Sequence, residues 1–173
     1  MNWWTEVSTT IQQEFSDLAN ATQITQIGVR LFIAVLLGGM LGYERERKES
    51  AAGLRTHMMV ALGAALFVVP PLQAGMPIED LSRVLQGIIA GIGFLGAGAI
   101  IKMSDKAEIK GLTTAASIWA TAAIGIAAGM GREMTAILST VLALVILAVL
   151  PRIEQRIETG KRRQIQRTGG PTE

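Results

Sequence analysis

The chain has 173 residues, half of them apolar, and its charged residues fall in short clusters between long apolar runs, unlike the surface of a soluble domain. It has no cysteine, which excludes disulfides, thiolate metal sites and a cysteine nucleophile. The net charge is only +2 and the basic residues lie in loops and in the tail, so we predict no nucleic-acid partner.

The first predicted element is an amphipathic helix within residues 1–23. Trp4, Val7 and Ile11 recur at helical spacing, and Trp3 adds a second aromatic ring suited to a membrane interface. The segment lacks the positive start and the cleavage site of a signal peptide. We therefore expect it to lie on the outer face of the membrane.

Five apolar runs follow, and a helix that crosses the hydrocarbon core needs about 20 mostly apolar residues. The sequence thus predicts an all-α polytopic membrane protein with a five-helix transmembrane domain over residues 24–150. The five spans are predicted at roughly 24–43, 57–76, 84–101, 113–130 and 134–150. Residues 151–173 are predicted as a basic cytoplasmic tail, either lying on anionic lipid or disordered after Gly160.

The positions of lysine and arginine predict the orientation. Thirteen of them lie in the segments that follow the first, third and fifth spans, whereas the alternate loops contain only Arg83 and Arg132. Basic residues concentrate in cytoplasmic loops of membrane proteins. We therefore predict an outer N-terminus and a cytoplasmic C-terminus.

Glycines inside the spans predict where helices pack. Small residues four positions apart form a flat groove that a neighbouring backbone can approach closely. The candidates for such packing are Gly38, Gly42, Gly87, Gly91, Gly93, Gly96, Gly98, Gly125 and Gly129. The GxGxxG pattern starting at Gly91 is not a dinucleotide fingerprint, since it does not follow a strand or open a soluble helix.

Arg30 is the one charged residue within an apolar span. Its long side chain either extends outward to the interface or pairs with Glu79 or Asp80 in the next outer loop. The sequence leaves both alternatives open.

A cluster of polar residues is predicted at the cytoplasmic boundary, where the first and third spans end and the second and fourth begin. Its members are Glu44, Arg45, Glu46, Arg55, His57, Lys110, Thr113 and Thr114. Such a cluster binds an anion, a metal ion or a partner protein, or its charges only neutralise one another and anchor the helix ends. We predict no catalytic residues, because a lone histidine beside an arginine at a membrane boundary is more often a hydrogen-bonding residue than a catalyst.

Several of these segments resemble the MgtC/SapB family. The matching motifs are GYERE at residues 42–46, AGLRTH at 52–57, GIGFLGAGAI at 91–100, KGLTTAASIW at 110–119 and AAIGIAAGMG at 122–131. The resemblance implies a bacterial inner-membrane protein linked to growth in low magnesium, with ATP synthase as a partner reported for some members. Longer members add a cytoplasmic domain, for which the tail here is too short.

The leading functional hypothesis is a non-enzymatic regulator, forming a homodimer, that is connected with magnesium homeostasis or membrane energetics. The alternative is a transporter or channel for magnesium or another ion, formed by an oligomer. A pump is excluded because there is no phosphate-binding loop. No cofactor is expected, and Mg²⁺ is a candidate ligand because it prefers carboxylate oxygens such as those of Glu44 and Glu46.

Overall fold

A computed structural model describes residues 2–14, 20–103 and 108–168. The elements of these ranges are α1 Trp3–Glu14, α2 Ala21–Arg47, α3 Leu54–Gln73, α4 Ile78–Ala99, β1 Ile101–Met103, β2 Glu108–Lys110, α5 Leu112–Gly129 and α6 Glu133–Thr168. Helices α2 to α5 and the part of α6 up to Pro151 are long and apolar enough to cross a membrane. The predicted five-span, helical membrane architecture is confirmed, whereas the orientation of the spans stays a prediction.

Two helices, α2 and α6, extend well beyond the ends of their predicted spans, because helical structure does not stop where the apolar run stops. Helix α2 continues to Arg47 through the charged GYERER segment, and α6 continues through Pro151 to Thr168. The predicted N-terminal helix corresponds to α1, whose residues are all exposed, and residues 15–19 of that predicted element lie outside the described ranges.

An antiparallel hairpin joins α4 to α5, and it is an addition to the predicted helices. Ile101 pairs with Lys110, and Met103 pairs with Glu108. Strands of three residues are too short to produce a recognisable periodicity in the sequence.

Helices α3 and α5 form the centre of the bundle, with α2 and α6 on one side and α4 on the other. One buried cluster joins α2, α3, α5 and α6 through small and branched side chains that include Leu41, Ala65 and Ile124. A second cluster joins α3, α4 and α5 around Val68 and Leu81. Both clusters are apolar, so the middle of the bundle is a packed core.

Ala61 of α3 is the point of closest helix packing. A Cβ atom added at Gly38 of α2 would lie 2.7 Å from the Cβ of Ala61, and one added at Gly125 of α5 would overlap the Ala61 carbonyl oxygen. Gly42 and Gly129 make similar approaches one turn away. Close backbone contact of this kind is what small residues permit in membrane helices.

The glycines of α4 have a different environment. A Cβ atom added at Gly87, Gly91, Gly93 or Gly98 would meet nothing within 4 Å, and one added at Gly96 would make only an ordinary contact with Ala115. Within one chain, therefore, the glycine-rich face of α4 remains open.

Candidate polar site at one end of the bundle

Three helix ends meet at the end of the bundle that is predicted to be cytoplasmic. They are the last turn of α2 and the first turns of α3 and α5. Gly111 makes the junction between the hairpin and α5 possible, because its φ of +93° is in the left-handed region and a Cβ atom there would overlap the Ala99 carbonyl. The end of α4 and the start of α5 are thereby held against each other.

His57 is buried between α3 and α5, with none of its surface exposed. Its Nδ1 lies 2.9 Å from the Gly53 carbonyl oxygen, which can only accept, so Nδ1 donates this hydrogen bond. Its Nε2 lies 3.1 Å from the Ser117 hydroxyl. With both ring nitrogens occupied by protein partners, His57 joins the two helices.

Arg45, Ser50 and Thr114 form a second polar chain beside His57. Arg45 Nη2 donates to the Ser50 hydroxyl at 3.3 Å, and the Ser50 and Thr114 hydroxyl oxygens lie 2.8 Å apart. Arg45 and Thr114 are only 8% and 5% exposed. This chain connects α2, the α2–α3 loop and the first turn of α5.

Lys48, which follows the end of α2, connects α2 to α6. Its Nζ lies 2.7 Å from Glu44 Oε1 and also donates to the Leu147 carbonyl oxygen. Leu147 is four residues before Pro151, and proline has no N–H to donate to that carbonyl. The lysine therefore takes the place of the missing helical hydrogen bond. The other carboxylate oxygen of Glu44 is buried without a hydrogen-bond partner.

Glu46 caps the start of α3. Its carboxylate accepts a hydrogen bond from the Leu54 N–H at 2.7 Å. The first N–H groups of a helix lack partners within the helix, and a carboxylate there also interacts favourably with the helix dipole. Gly53 leaves room for this contact, since a Cβ atom on it would lie 2.6 Å from the same oxygen.

The sequence pattern of the MgtC family matches residues 31–156, which include every residue of this site. The chain belongs to the MgtC family. It is 41% identical over 140 residues to Protein SrpB of Synechococcus elongatus, covering 75% of this chain and 77% of that protein.

Proteins named MgtC are also similar to the chain. The Salmonella typhimurium protein is 38% identical over 129 residues, which cover 75% of this chain and 54% of that protein. The Brucella abortus protein is 43% identical over 126 residues, which cover 72% of this chain and 51% of that protein. The chain thus spans about half the length of these two MgtC proteins. No solved structure matches it.

The structure divides the predicted cluster of this MgtC-family chain into buried and exposed residues. Arg45, His57 and Thr114 are buried, whereas Arg55 and Thr113 are exposed. Glu46, Lys110 and the partly buried Glu44 complete the cluster at its edge. The buried members are therefore the ones that the structure brings together by hydrogen bonds.

Ser50, Ser117 and Lys48 are part of the site but are not among its predicted members. Ser117 lies one helical turn beyond Thr114 on the same face of α5, and a buried histidine requires a polar partner. These two facts together could have identified Ser117. Ser50 and Lys48 carry no comparable signal in the sequence.

The structure gives Arg30 a backbone partner that the sequence did not predict. In the described residues it forms no ion pair with Glu79 or Asp80; instead its Nη1 donates to the Gly129 carbonyl oxygen at 3.4 Å. Its guanidinium also packs against Gly131, where φ is +71°. Arg30 therefore caps the end of α5 at the predicted outer boundary, because the last carbonyls of a helix lack partners and form the negative end of its dipole.

No three histidine, aspartate or glutamate side chains come together within the described ranges. Since Mg²⁺ usually keeps several waters and uses only one or two carboxylates, Glu44 and Glu46 remain candidate ligands only in combination with water or a partner.

An apolar groove lies between α3 and α4. It has a volume of about 650 Å³ and is lined by residues that include Gly63, Phe67, Gly87, Ile88 and Gly91. Glycines on both helices widen the groove, because they have no side chain. The groove contains almost no polar surface and is separate from the polar site.

Proposed function

We propose that this MgtC-family chain is a non-enzymatic regulator in the bacterial inner membrane, connected with magnesium homeostasis or membrane energetics. Its working surface is the polar cluster at the predicted cytoplasmic end. One observation supports this proposal: the hydrogen-bonded polar residues lie together at this end of the bundle. They are Arg45, Ser50, His57, Thr114 and Ser117.

The interior between the two ends favours regulation over transport. Transport pathways usually place ionisable residues within the membrane. Between the ends, the buried polar side chains of the described residues are the Thr121 and Thr140 hydroxyls, which donate to carbonyls of their own helices, and the volume between α3 and α4 is apolar. One chain therefore offers a polar site at one end and a packed core behind it.

An ion channel or carrier is the second candidate, and one observation favours it. The open face of α4, with Gly87, Gly91 and Gly98, offers backbone that another copy could approach closely. In that arrangement the pathway would lie between copies. This alternative requires the same homodimer that we propose for the regulator.

The proposed partners are a second copy of the chain and the lipid bilayer, with ATP synthase as a candidate suggested by the resemblance to MgtC/SapB proteins. The name MgtC belongs to relatives about twice as long as the region they share with this chain. Their whole-protein activities are therefore proposals here.

The test uses purified protein in liposomes, with magnesium and proton flux recorded over a range of gradients. The proposal predicts no saturable flux above protein-free liposomes. Saturable magnesium flux would overturn the regulatory function in favour of the second candidate.

A parallel test uses bacteria that depend on the chain for growth in low magnesium. We expect Arg55→Ala, at the exposed edge of the cluster, to be present at a normal level and to lose growth. Arg83→Ala, an exposed arginine at the opposite end, is the matched control and should grow normally. Equal growth of both variants would contradict a functional site at the predicted cytoplasmic end.

A further inference from the structure

Arg45 is a buried cation that forms no ion pair with any described acidic side chain. Its side chain is 8% exposed, its Nε is buried with no hydrogen-bond partner, and its side-chain hydrogen bond goes to the neutral Ser50 hydroxyl. In the described part of the chain the one ion pair joins Lys48 to Glu44. A charge that is withdrawn from water is strongly unfavourable unless an opposite charge or several hydrogen bonds compensate for it.

Glu44 does not supply that compensation. Consecutive helical residues do not face each other, and the carboxylate of Glu44 is directed to Lys48 at 2.7 Å. The positive charge of Arg45 therefore faces the α2–α3 loop and α5, and not the acidic residue that precedes it.

The groups beside Arg45 are suited to an oxyanion. The Ser50 hydroxyl contacts the guanidinium, the Thr114 hydroxyl contacts that of Ser50, and Thr114 lies in the first turn of α5. The start of α5 has no side-chain cap. Unpaired N–H groups and the positive end of the helix dipole favour an anion at such a position. A guanidinium binds phosphate oxygens through two parallel hydrogen bonds.

We propose that Arg45, Ser50 and Thr114 bind a phosphate oxyanion. At a membrane boundary the phosphate comes either from inorganic phosphate or from the headgroup of an anionic phospholipid. The bound group neutralises Arg45 and uses its Nε–H, so that occupancy stabilises the junction of α2, α3 and α5. The inference rests on the proposed function in taking this cluster as a ligand site, and it adds the buried Arg45 to the exposed Arg55 and Lys110 as an anion-binding residue of that site.

The test is thermal unfolding of the purified full-length chain in lipid nanodiscs, combined with calorimetric titration of inorganic phosphate. One arm uses phosphatidylcholine discs with added phosphate, and the other uses phosphatidylglycerol discs without phosphate. Stabilisation in the first arm identifies the soluble ion as the ligand. Stabilisation in the second arm alone identifies the lipid headgroup.

Arg45→Gln removes the charge, and Arg47→Gln is the matched control, since Arg47 lies on the same helical turn but is exposed and 5.9 Å from the Tyr43 ring centre. We expect Arg45→Gln to bind at least about tenfold more weakly, as for the loss of a hydrogen bond to a charged group. The control should bind like the unmodified chain. Equal stabilisation of both variants, or no stabilisation in either arm, would overturn the proposal.

Should Arg45→Gln fail to fold, Ser50→Ala and Thr114→Val retain the charge and remove one hydroxyl each. Both should weaken binding, and unchanged binding in both would also overturn the proposal. Flux in liposomes is measured separately, so saturable magnesium flux would contradict the regulatory function without affecting a phosphate-binding result.

Discussion

Two sides of the same helix bundle contain glycines at the same four-residue spacing. On one side, which we call the closed side, another helix packs against the glycines, and on the other, open side none does. On the side formed by α2, α3 and α5, Gly38 approaches the side chain of Ala61 and Gly125 approaches its backbone. On the α4 side, Gly87 and Gly91 face a groove and touch nothing within 4 Å at the Cβ position. The four-residue spacing of glycines therefore indicates that close helix packing is possible, whereas the position of the neighbouring helix determines whether it occurs within the chain.

The polar site lies on the closed side. His57, Thr114 and Ser117 belong to α3 and α5, the two helices that the glycine contacts bring together. Close approach of the backbones holds the hydrogen-bonding groups at fixed distances. Packing and polar site are thus two parts of one arrangement, whereas the glycines of α4 lie apart from both.

The largest expected effect comes from Ala61→Leu. Ala61 is fully buried between two glycines, and extra methylenes in a packed interior cost about 1–3 kcal/mol or more. We expect a loss of at least about 3 kcal/mol in the free energy of unfolding in mixed micelles, at the upper end of that range. Ala90→Leu on the exposed face of α4 is the control, with an expected change within about 0.5 kcal/mol. Similar losses at both positions would contradict the difference between the two sides.

Arg30→Gln should cost about 1–2 kcal/mol, since it removes a cation from the last turn of a partly buried helix end. The measurement is the same unfolding experiment. Glu79→Gln and Asp80→Asn should each cost only about 0.3 kcal/mol, through a weaker interaction with the α4 dipole, because neither carboxylate pairs with Arg30. If either substitution cost as much as Arg30→Gln, Arg30 would pair with the outer loop and would not cap α5.

Lys48→Met should cost about 1 kcal/mol through the loss of one charged hydrogen bond and one ion pair at the membrane boundary. A double-mutant cycle with Pro151→Ala measures how much of this cost comes from the hydrogen bond to the Leu147 carbonyl. Alanine at 151 provides the N–H that Leu147 lacks, so Lys48→Met should cost less in that background. Equal costs in both backgrounds would show that the lysine does not act through the Leu147 carbonyl.

Glu46→Ala should have the smallest effect, about 0.5–1 kcal/mol, as for the loss of a helix N-cap on a partly solvated surface. Glu49→Ala, an exposed glutamate three residues later, is the control. Hydrogen exchange of the Leu54 amide provides a local measurement. It should become faster in Glu46→Ala only, and unchanged exchange would argue against the cap.

The positions of the five spans could be predicted from the sequence, because apolar runs and bilayer thickness determine them without knowledge of the neighbours. The position of Arg45, His57 and Thr114 near one boundary also followed from the run ends. Their hydrogen-bond partners did not, since the rotation of α3 directs Arg55 outward and the conformation of the α2–α3 loop brings Ser50 inward. The backbone partner of Arg30 is likewise invisible in a sequence, because every residue carries a carbonyl.

The most direct test of the difference between the closed and open sides adds one methyl group to a glycine on each side and compares the stability of the two variants. Gly125→Ala puts a Cβ atom onto the Ala61 carbonyl, whereas Gly91→Ala puts it into open space. Unfolding in mixed micelles should show Gly125→Ala destabilised by about 2 kcal/mol or more, and Gly91→Ala unchanged or slightly more stable through its better helix propensity. Equal stability of the two variants, or a greater loss for Gly91→Ala, would contradict the account.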